Sequence, residues 1–229
     1  MDENYFKKTE YPKINAPYKR WRKGLHTEKM KPKTKKWNSL KEGEFSTKEI
    51  EYLRNNDWCW TEKLDGTNIR IYLSIANSKV EMVVKGRTAK SEIPEDLLLW
   101  VENWFKSKTG VIKSIFEGTV ILYGEGVGEK IQKGKLFGKR HFKLFDVKIG
   151  NLFLELENVQ DIAQKLGLDS APLYLVGTIQ NAIDMVKTEP KSEYGNFVIE
   201  GLVGKPLWDL KDRRGNRIIT KVKVKDFRQ

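Results

Sequence analysis

Lys63 stands in "WTEKLDGTNIRIYL" (residues 60–73), between the end of one strand-like run and an Asp-Gly turn. Lysine is a poor inward-facing strand residue, so its placement asks for a chemical reason. An ammonium is no nucleophile: with an ordinary pKa of about 10.4, about one amine in a thousand is neutral near pH 7.4. Burial and neighbouring cations raise that neutral fraction. A chemical Lys63 therefore needs positive charge beside it, and something must hold a phosphate in place for attack.

Distant parts of the chain offer such groups. "ITKVKVKDF" alternates Lys221, Lys223 and Lys225 with valines, and period 2 puts the three ammonium groups on one strand face. Such a face meets either open water or an anion. "FVIEGLVGKP" sets Glu200 among apolar strand residues, where a carboxylate wants a neighbouring lysine or a divalent cation as partner. "VILYGEGVGEK" places Glu125 at the end of an apolar strand entering a glycine-rich turn of Gly124, Gly126 and Gly128. These glycines lack the spacing of a dinucleotide fingerprint and the Gly-Lys-Ser/Thr of a P-loop, so a tight turn suffices to explain them. "HFKLFDV" adds Phe142 and Asp146, and "VKGRTAK" adds Arg87 after a strand.

The whole chain is basic, with a net charge of +12 over 229 residues. Tyr18 to Trp37 holds nine Lys/Arg and one Glu, two thirds of that excess, interleaved with aromatics. Lys19, Arg20, Arg22, Lys23, Lys35 and Lys36 belong to it. Such a run suits phosphates and stacked bases, or simply a solvated arm. No stretch has the apolar length of a spanning helix, and "MDENYFKKTE" has no signal-peptide core. The single cysteine, Cys59, excludes an internal disulfide and a cysteine-rich zinc site. A cytoplasmic protein without membrane partners is expected.

To position these groups the pattern predicts an α+β fold with twisted, largely antiparallel sheets flanked by helices. Residues 1–41 read as a basic arm packed on, or leading into, one domain over 42–229. Ser46 with Glu49 reads as a capping box starting a short helix. Strands are expected at 58–63, 67–75 and 79–85, the last two joined by "ANSK". Pro94 starts a helix with Leu97, Trp100, Val101, Trp104 and Phe105 on one face. Strands then fall at 119–125, 141–149 and 151–155, a helix at 157–166, a strand at 172–177 and a helix at 178–187. Strands at 196–203 and 217–224 finish the chain, bridged by a loop containing "RRGN".

Taken together, "EKLDGTN", "GRT", "YGEG", "IQK", "HFKLFDV", "EGLVGKP" and "KVK", in this order between 42 and 226, resemble the covalent nucleotidyltransferase superfamily of polynucleotide ligases and capping enzymes. Within it the set is most similar to the nick-sealing type-2 RNA ligases of phages. The resemblance implies an adenylation domain that uses ATP and Mg2+ or Mn2+, with RNA as partner. Lys63 would attack the α-phosphorus to form lysyl-AMP, with Lys221 and Lys223 holding the α-phosphate and Glu200 binding the metal. Glu125 and Arg87 would contact the ribose region, Phe142 would stack on adenine, and Lys205 would sit near the phosphates. Glu62 would contact the nucleotide and Asn68 the nucleic acid. AMP would pass to a 5′-phosphate end, which a 3′-hydroxyl then joins. DNA ligases and capping enzymes commonly have arginine where this chain has Asn68, which points to RNA. The chain stops six residues after Lys223, so no accessory C-terminal domain is expected, and the basic arm is expected to grip the strand instead. A DNA or single-strand ligase of the same chemistry and an inactive nucleic-acid-binding module are the alternatives.

Overall fold

A computed structural model describes residues 3–21, 39–88, 91–129, 131 and 134–228. In chain order the elements begin with α1 (Glu3–Lys8), β1 (Tyr18–Arg20), β2 (Leu40–Phe45), α2 (Lys48–Tyr52), β3 (Trp58–Glu62), β4 (Thr67–Ala76) and β5 (Lys79–Gly86). There follow α3 (Glu95–Ser107), α4 (Thr109–Ile115), β6 (Gly118–Val127), a 3-10 turn (Gly134–Phe137), β7 (His141–Ile149), β8 (Leu152–Phe153) and α5 (Leu156–Leu166). The chain ends with β9 (Asp169–Ser170), β10 (Leu173–Gly177), α6 (Ile179–Lys187), β11 (Gly201–Pro206), β12 (Thr220–Lys223) and α7 (Val224–Phe227). This is the expected mixture of helices with mostly antiparallel sheets. Among the described residues no helix is long and apolar enough to cross a membrane.

The elements form two compact units, and the chain passes between them repeatedly: residues 1–12, 64–172 and 191–197 make unit 1, the remainder unit 2. Unit 1 is built on a sheet in the order β5-β4-β6-β7-β8, with β9 added parallel to β7. Alternation along β4 sends Ile69, Ile71 and Leu73 into the core with Leu97, Val101 and Phe105 of α3. Each such side chain contributes about 1.5–3 kcal/mol by leaving water. The intervening residues are buried too. Arg70 donates to the carbonyls of Gly86 (2.8 Å) and Phe6 (2.7 Å), while Tyr72 shares a 2.7 Å hydrogen bond with Thr9. Tyr11 donates to the buried Asp146 carboxylate at 2.5 Å. Residues 3–12 thus cover the second face of the sheet. Asn77 and Ser78, both at positive φ, make the tight hairpin turn read in "ANSK".

Unit 2 carries the sheet β10-β3-β11-β12 and the pair β1-β2. Trp58, Trp60, Leu202 and Val222 pack against Ile179, Ile183 and Val186 of α6. The indole N–H groups of Trp58 and Trp60 donate to the carbonyls of Leu53 and Gly177, both at 3.0 Å, so neither buried ring leaves a polar atom unpaired.

Several boundaries differ from expectation. The cap of α2 is Thr47, which accepts from the Ile50 N–H at 3.2 Å, and not Ser46. The strand expected at 196–203 starts only at Gly201, because the Ile199 N–H is already bonded to Pro190 O at 3.1 Å, outside any ladder. The strand expected at 217–224 covers 220–223, and helix α4 was not foreseen at all.

Candidate active site

In unit 2, β11 runs between β3 and β12, with Leu202 opposite both Glu62 and Val222. One position further on, the Lys63 N–H donates to Gly201 O at 2.8 Å, and Gly201 pairs with Lys223 on its other side. Lys63, Gly201 and Lys223 therefore form one row across the sheet. Since side chains alternate along a strand, Lys221 and Lys205 share the face of Lys63 and Lys223. Trp60, Leu202 and Val222 occupy the opposite, core face. Position 201 must be glycine: a Cβ there would meet Val222 O at 2.1 Å.

Glu200, just before this row, joins its two amines. Lys63 Nζ donates to Oε2 and Lys223 Nζ to Oε1. The Lys63 side chain is 22% exposed and those of Glu200 and Lys223 17%, so water screens the cluster only in part. Burial pushes the Glu200 carboxyl up, but the Lys63 charge and the bonds from Lys223 and Lys63 outweigh it and hold the carboxyl below its ordinary range. Lys221 has no such carboxylate bond. Burial, then the charges of Lys223 and Lys63, push it down to about 8.

The expected row of three lysines is therefore two. Lys225 lies in α7, because the chain leaves the sheet at Val224. The buried Glu62 lies on the core face and accepts from Tyr174 Oη at 3.3 Å. Lys205 is half-buried in β11, opposite Cys59. Two supports were missed in the sequence. The Asn15 carbonyl accepts from the Lys221 N–H at 3.1 Å and from Thr220 Oγ1 at 3.0 Å, fixing β12. No periodicity in residues 1–40 announces it. Tyr174 has no local signal either, because its partner lies more than a hundred residues away.

The other predicted residues lie in unit 1. Asn68 in β4 is opposite Glu125 in β6, and Glu125 accepts from the Gly66 N–H at 3.2 Å. Asn68 Oδ1 is buried and finds no hydrogen-bond partner among the described residues. Arg87 is exposed just beyond β5. The glycine-rich turn is corrected: Gly124 and Gly126 lie inside β6. The expectation for Phe142 also needs correction. Its ring is fully buried, edge-on to Phe105, and so close under Gly124 that a Cβ there would lie 2.2 Å from it. It is a core residue of unit 1 rather than an open platform.

Of the basic arm, Lys19 is exposed, 4.0 Å from Glu44. Arg20 is half-buried and committed to Asp226 through both terminal guanidinium nitrogens. Arg22, Lys23, Lys35 and Lys36 lie outside the described residues. Among the described residues no three His, Cys, Asp or Glu side chains cluster as a metal cage. A single carboxylate still suits Mg2+, which keeps several waters and takes one or two carboxylates plus substrate phosphates. Glu200 fits that role.

The model of the RNA ligase family matches residues 56–223. The chain is similar in fold to Naegleria gruberi RNA ligase with PPi, at 22% identity and a TM-score of 0.57, covering 76% of this chain and 51% of that one. A mutant of that ligase with ATP and Mn gives 19% identity, a TM-score of 0.57 and the same coverage. Another mutant with AMP and Mn gives 21% and 0.56, covering 76% of this chain and 52% of that one. This chain thus spans about half the length of the solved structures it matches. No curated protein matches it.

Proposed function

Since the chain belongs to the RNA ligase family, we propose that it joins RNA ends at the expense of ATP, with Lys63 as the nucleophile. The observation that carries this reading is the row of Lys63 and Lys223 bridged by Glu200, with Lys221 on the same face. In the first step Lys63 Nζ, having given up its ammonium proton, attacks the α-phosphorus. The P–N bond forms as the bond to the β-phosphate oxygen breaks, the nitrogen loses a second proton, and pyrophosphate leaves. Lys221 and Lys223 stand where cations can oppose charge growing on the α-phosphate. Glu200 is the carboxylate that would hold a divalent cation, whose charge, when bound, offsets that of the phosphate oxygens. The AMP then passes to a 5′-phosphate, turning it into an anhydride whose AMP a 3′-hydroxyl displaces.

Lys205, on the same face, suits the phosphates, whereas Glu62, buried on the opposite face, is left out of this reading. Glu125 and Arg87 are assigned the ribose region and Asn68 the nucleic acid. Phe142, as a buried core ring, is left out of this reading. The basic segment containing Lys19, Arg22, Lys23, Lys35 and Lys36 is assigned to gripping the strand. Deleting residues 1–40 is a poor test of that role, because Thr9, Tyr11 and Asn15 make buried or site-supporting bonds. Neutralising the basic side chains in place tests it better: lysyl-AMP formation is retained and joining falls.

Incubation with α-labelled ATP tests the reading directly. Wild-type chain becomes covalently labelled, Lys63→Ala does not, and labelled protein joins a 5′-phosphorylated RNA. Absence of label on the wild type would leave only a nucleic-acid-binding module. Label from GTP and none from ATP would indicate capping-type chemistry instead.

A further inference from the structure

The connection between β11 and β12 carries a second cationic surface that the adenylation chemistry does not use. Its "RRGN" loop is internally braced. The Asp212 carboxylate accepts from the N–H groups of Arg214 and Asn216, both at 2.8 Å, and from Asn216 Nδ2 at 2.9 Å. Lys211 and Arg217 face each other in an antiparallel bridge, and Asp209 pairs with Arg217 at 2.9 Å and Lys211 at 3.8 Å. The loop's acidic groups are thus engaged within it, while the side chains of Arg213 and Arg214 remain exposed. Together with α2, this loop lines a cavity of about 800 Å3. Lys48, Lys211, Arg213 and Arg214 bring four cations to its wall, against Glu49 and Asp212. Lys48 and Arg213 have no ion-pair partner among the described residues. Beside them Tyr52, also in the lining, keeps 83% of its surface exposed.

We infer that this groove of unit 2 holds a single-stranded segment of the RNA substrate, with phosphates on Lys48, Arg213 and Arg214 and a base stacked on Tyr52. The inference rests on the RNA ligase reading above. Cations alone would take any polyanion. The exposed aromatic ring among them is what selects a nucleic acid strand, since every base offers a face to stack on. Bracing by Asp212 presents the two arginines on a loop that need not be ordered first.

Fluorescence anisotropy with a labelled 12-nucleotide RNA tests the groove, using Lys63→Ala protein so that no turnover occurs. Tyr52→Ala added to it is expected to weaken binding about fivefold or more, and Tyr52→Phe to leave it intact. Arg213→Ala with Arg214→Ala is expected to flatten the dependence of log K on log salt by about 1.4, two phosphate contacts on a single strand. With Lys63 restored, the same groove variants should take label from ATP as the wild type does. RNA affinity and salt slope unchanged in both sets would overturn the inference. So would equal sensitivity of poly-glutamate binding with no effect of Tyr52→Ala, which marks a patch for any polyanion. Failure of the wild type to take label refutes the ligase reading but leaves the RNA-binding result standing, so the two are separable.

Discussion

Replacing Lys221 by Met should make the protein more stable, and less able to take AMP, at neutral pH. Its ammonium falls from an ordinary 10.5 to about 8, first through burial and then through the charges of Lys223 and Lys63. For a fully buried group that drop would correspond to about 3 kcal/mol. Lys221 is only half-buried, and solvent screening reduces the figure to about 1–2 kcal/mol. The sign follows from proton binding. Below pH 8 folded and unfolded chains both carry the proton, so the penalty of burying the charge is fully present. Between about 8 and 10.5 the unfolded chain binds more protons, so stability rises with pH until the penalty is gone. Lys221→Met should therefore raise the melting temperature at pH 7 by about 3–6 °C, with the gain shrinking towards pH 10.5. Thermal unfolding followed by circular dichroism at the two pH values measures it. Any gain from the apolar Met side chain is the same at both. A melting temperature at pH 7 no higher than the wild type's, or a gain independent of pH, refutes the reasoning.

The same cluster predicts an asymmetry. Glu200→Gln leaves three neighbouring ammonium groups without their shared anion and should cost about 2–3 kcal/mol in chemical denaturation, whereas Lys223→Met leaves Glu200 its bond to Lys63 and should cost less than about 1 kcal/mol; equal costs would contradict the bridging role. Gly201→Ala drives a Cβ into Val222 O, so β11 and β12 must separate and labelling by ATP should be lost, which gel autoradiography reads directly. Phe142→Ala, emptying a fully buried site, should destabilise by about 3–5 kcal/mol in urea, while Phe142→Leu should leave the apparent KM for ATP within about twofold of the wild type if the ring serves only the core.

Legibility in the sequence followed the range of the signal. The strands from 58 to 86 and helices α3, α5 and α6 were readable because alternation and helical spacing are local, and their ends fall within a few residues of expectation. Helix α4 was not, because "TGVIKSI" opens with a glycine one position inside it and spans only two turns. The end of β12 was missed for a similar reason. Valine-lysine alternation continues to Lys225, but nothing local shows that the backbone turns into α7 at Val224, whose carbonyl accepts from the Arg228 N–H at 2.9 Å. Division into two units was invisible, because each gathers three separate stretches of chain. Arg70 and the covering segment 3–12 form the plainest case. A buried arginine bonded to the carbonyls of Phe6 and Gly86 leaves no trace in periodicity, and the segment reads as polar arm until its partners are known.

The deeper difference concerns the proton on Lys63. The chain places Lys221 and Lys223 near Lys63, yet it also gives Lys63 an oxygen of Glu200. A carboxylate and two ammonium groups act on an amine with opposite signs. While Glu200 is bonded to Lys63, the nitrogen's lone pair is tied up in a proton. With the oxygens of Glu200 engaged elsewhere, Lys63 would face Lys221 and Lys223 with no anion between them. In the proposed reaction Glu200 would do more than accept a cation: its partner would decide whether Lys63 is held in the bridge or released as a nucleophile. Lys221, which no carboxylate bonds, is pushed down to about 8 by burial and then by the charges of Lys223 and Lys63. In the reaction proposed above, activation of Lys63 is thus a matter of which partner Glu200 holds, rather than of a lysine kept permanently uncharged.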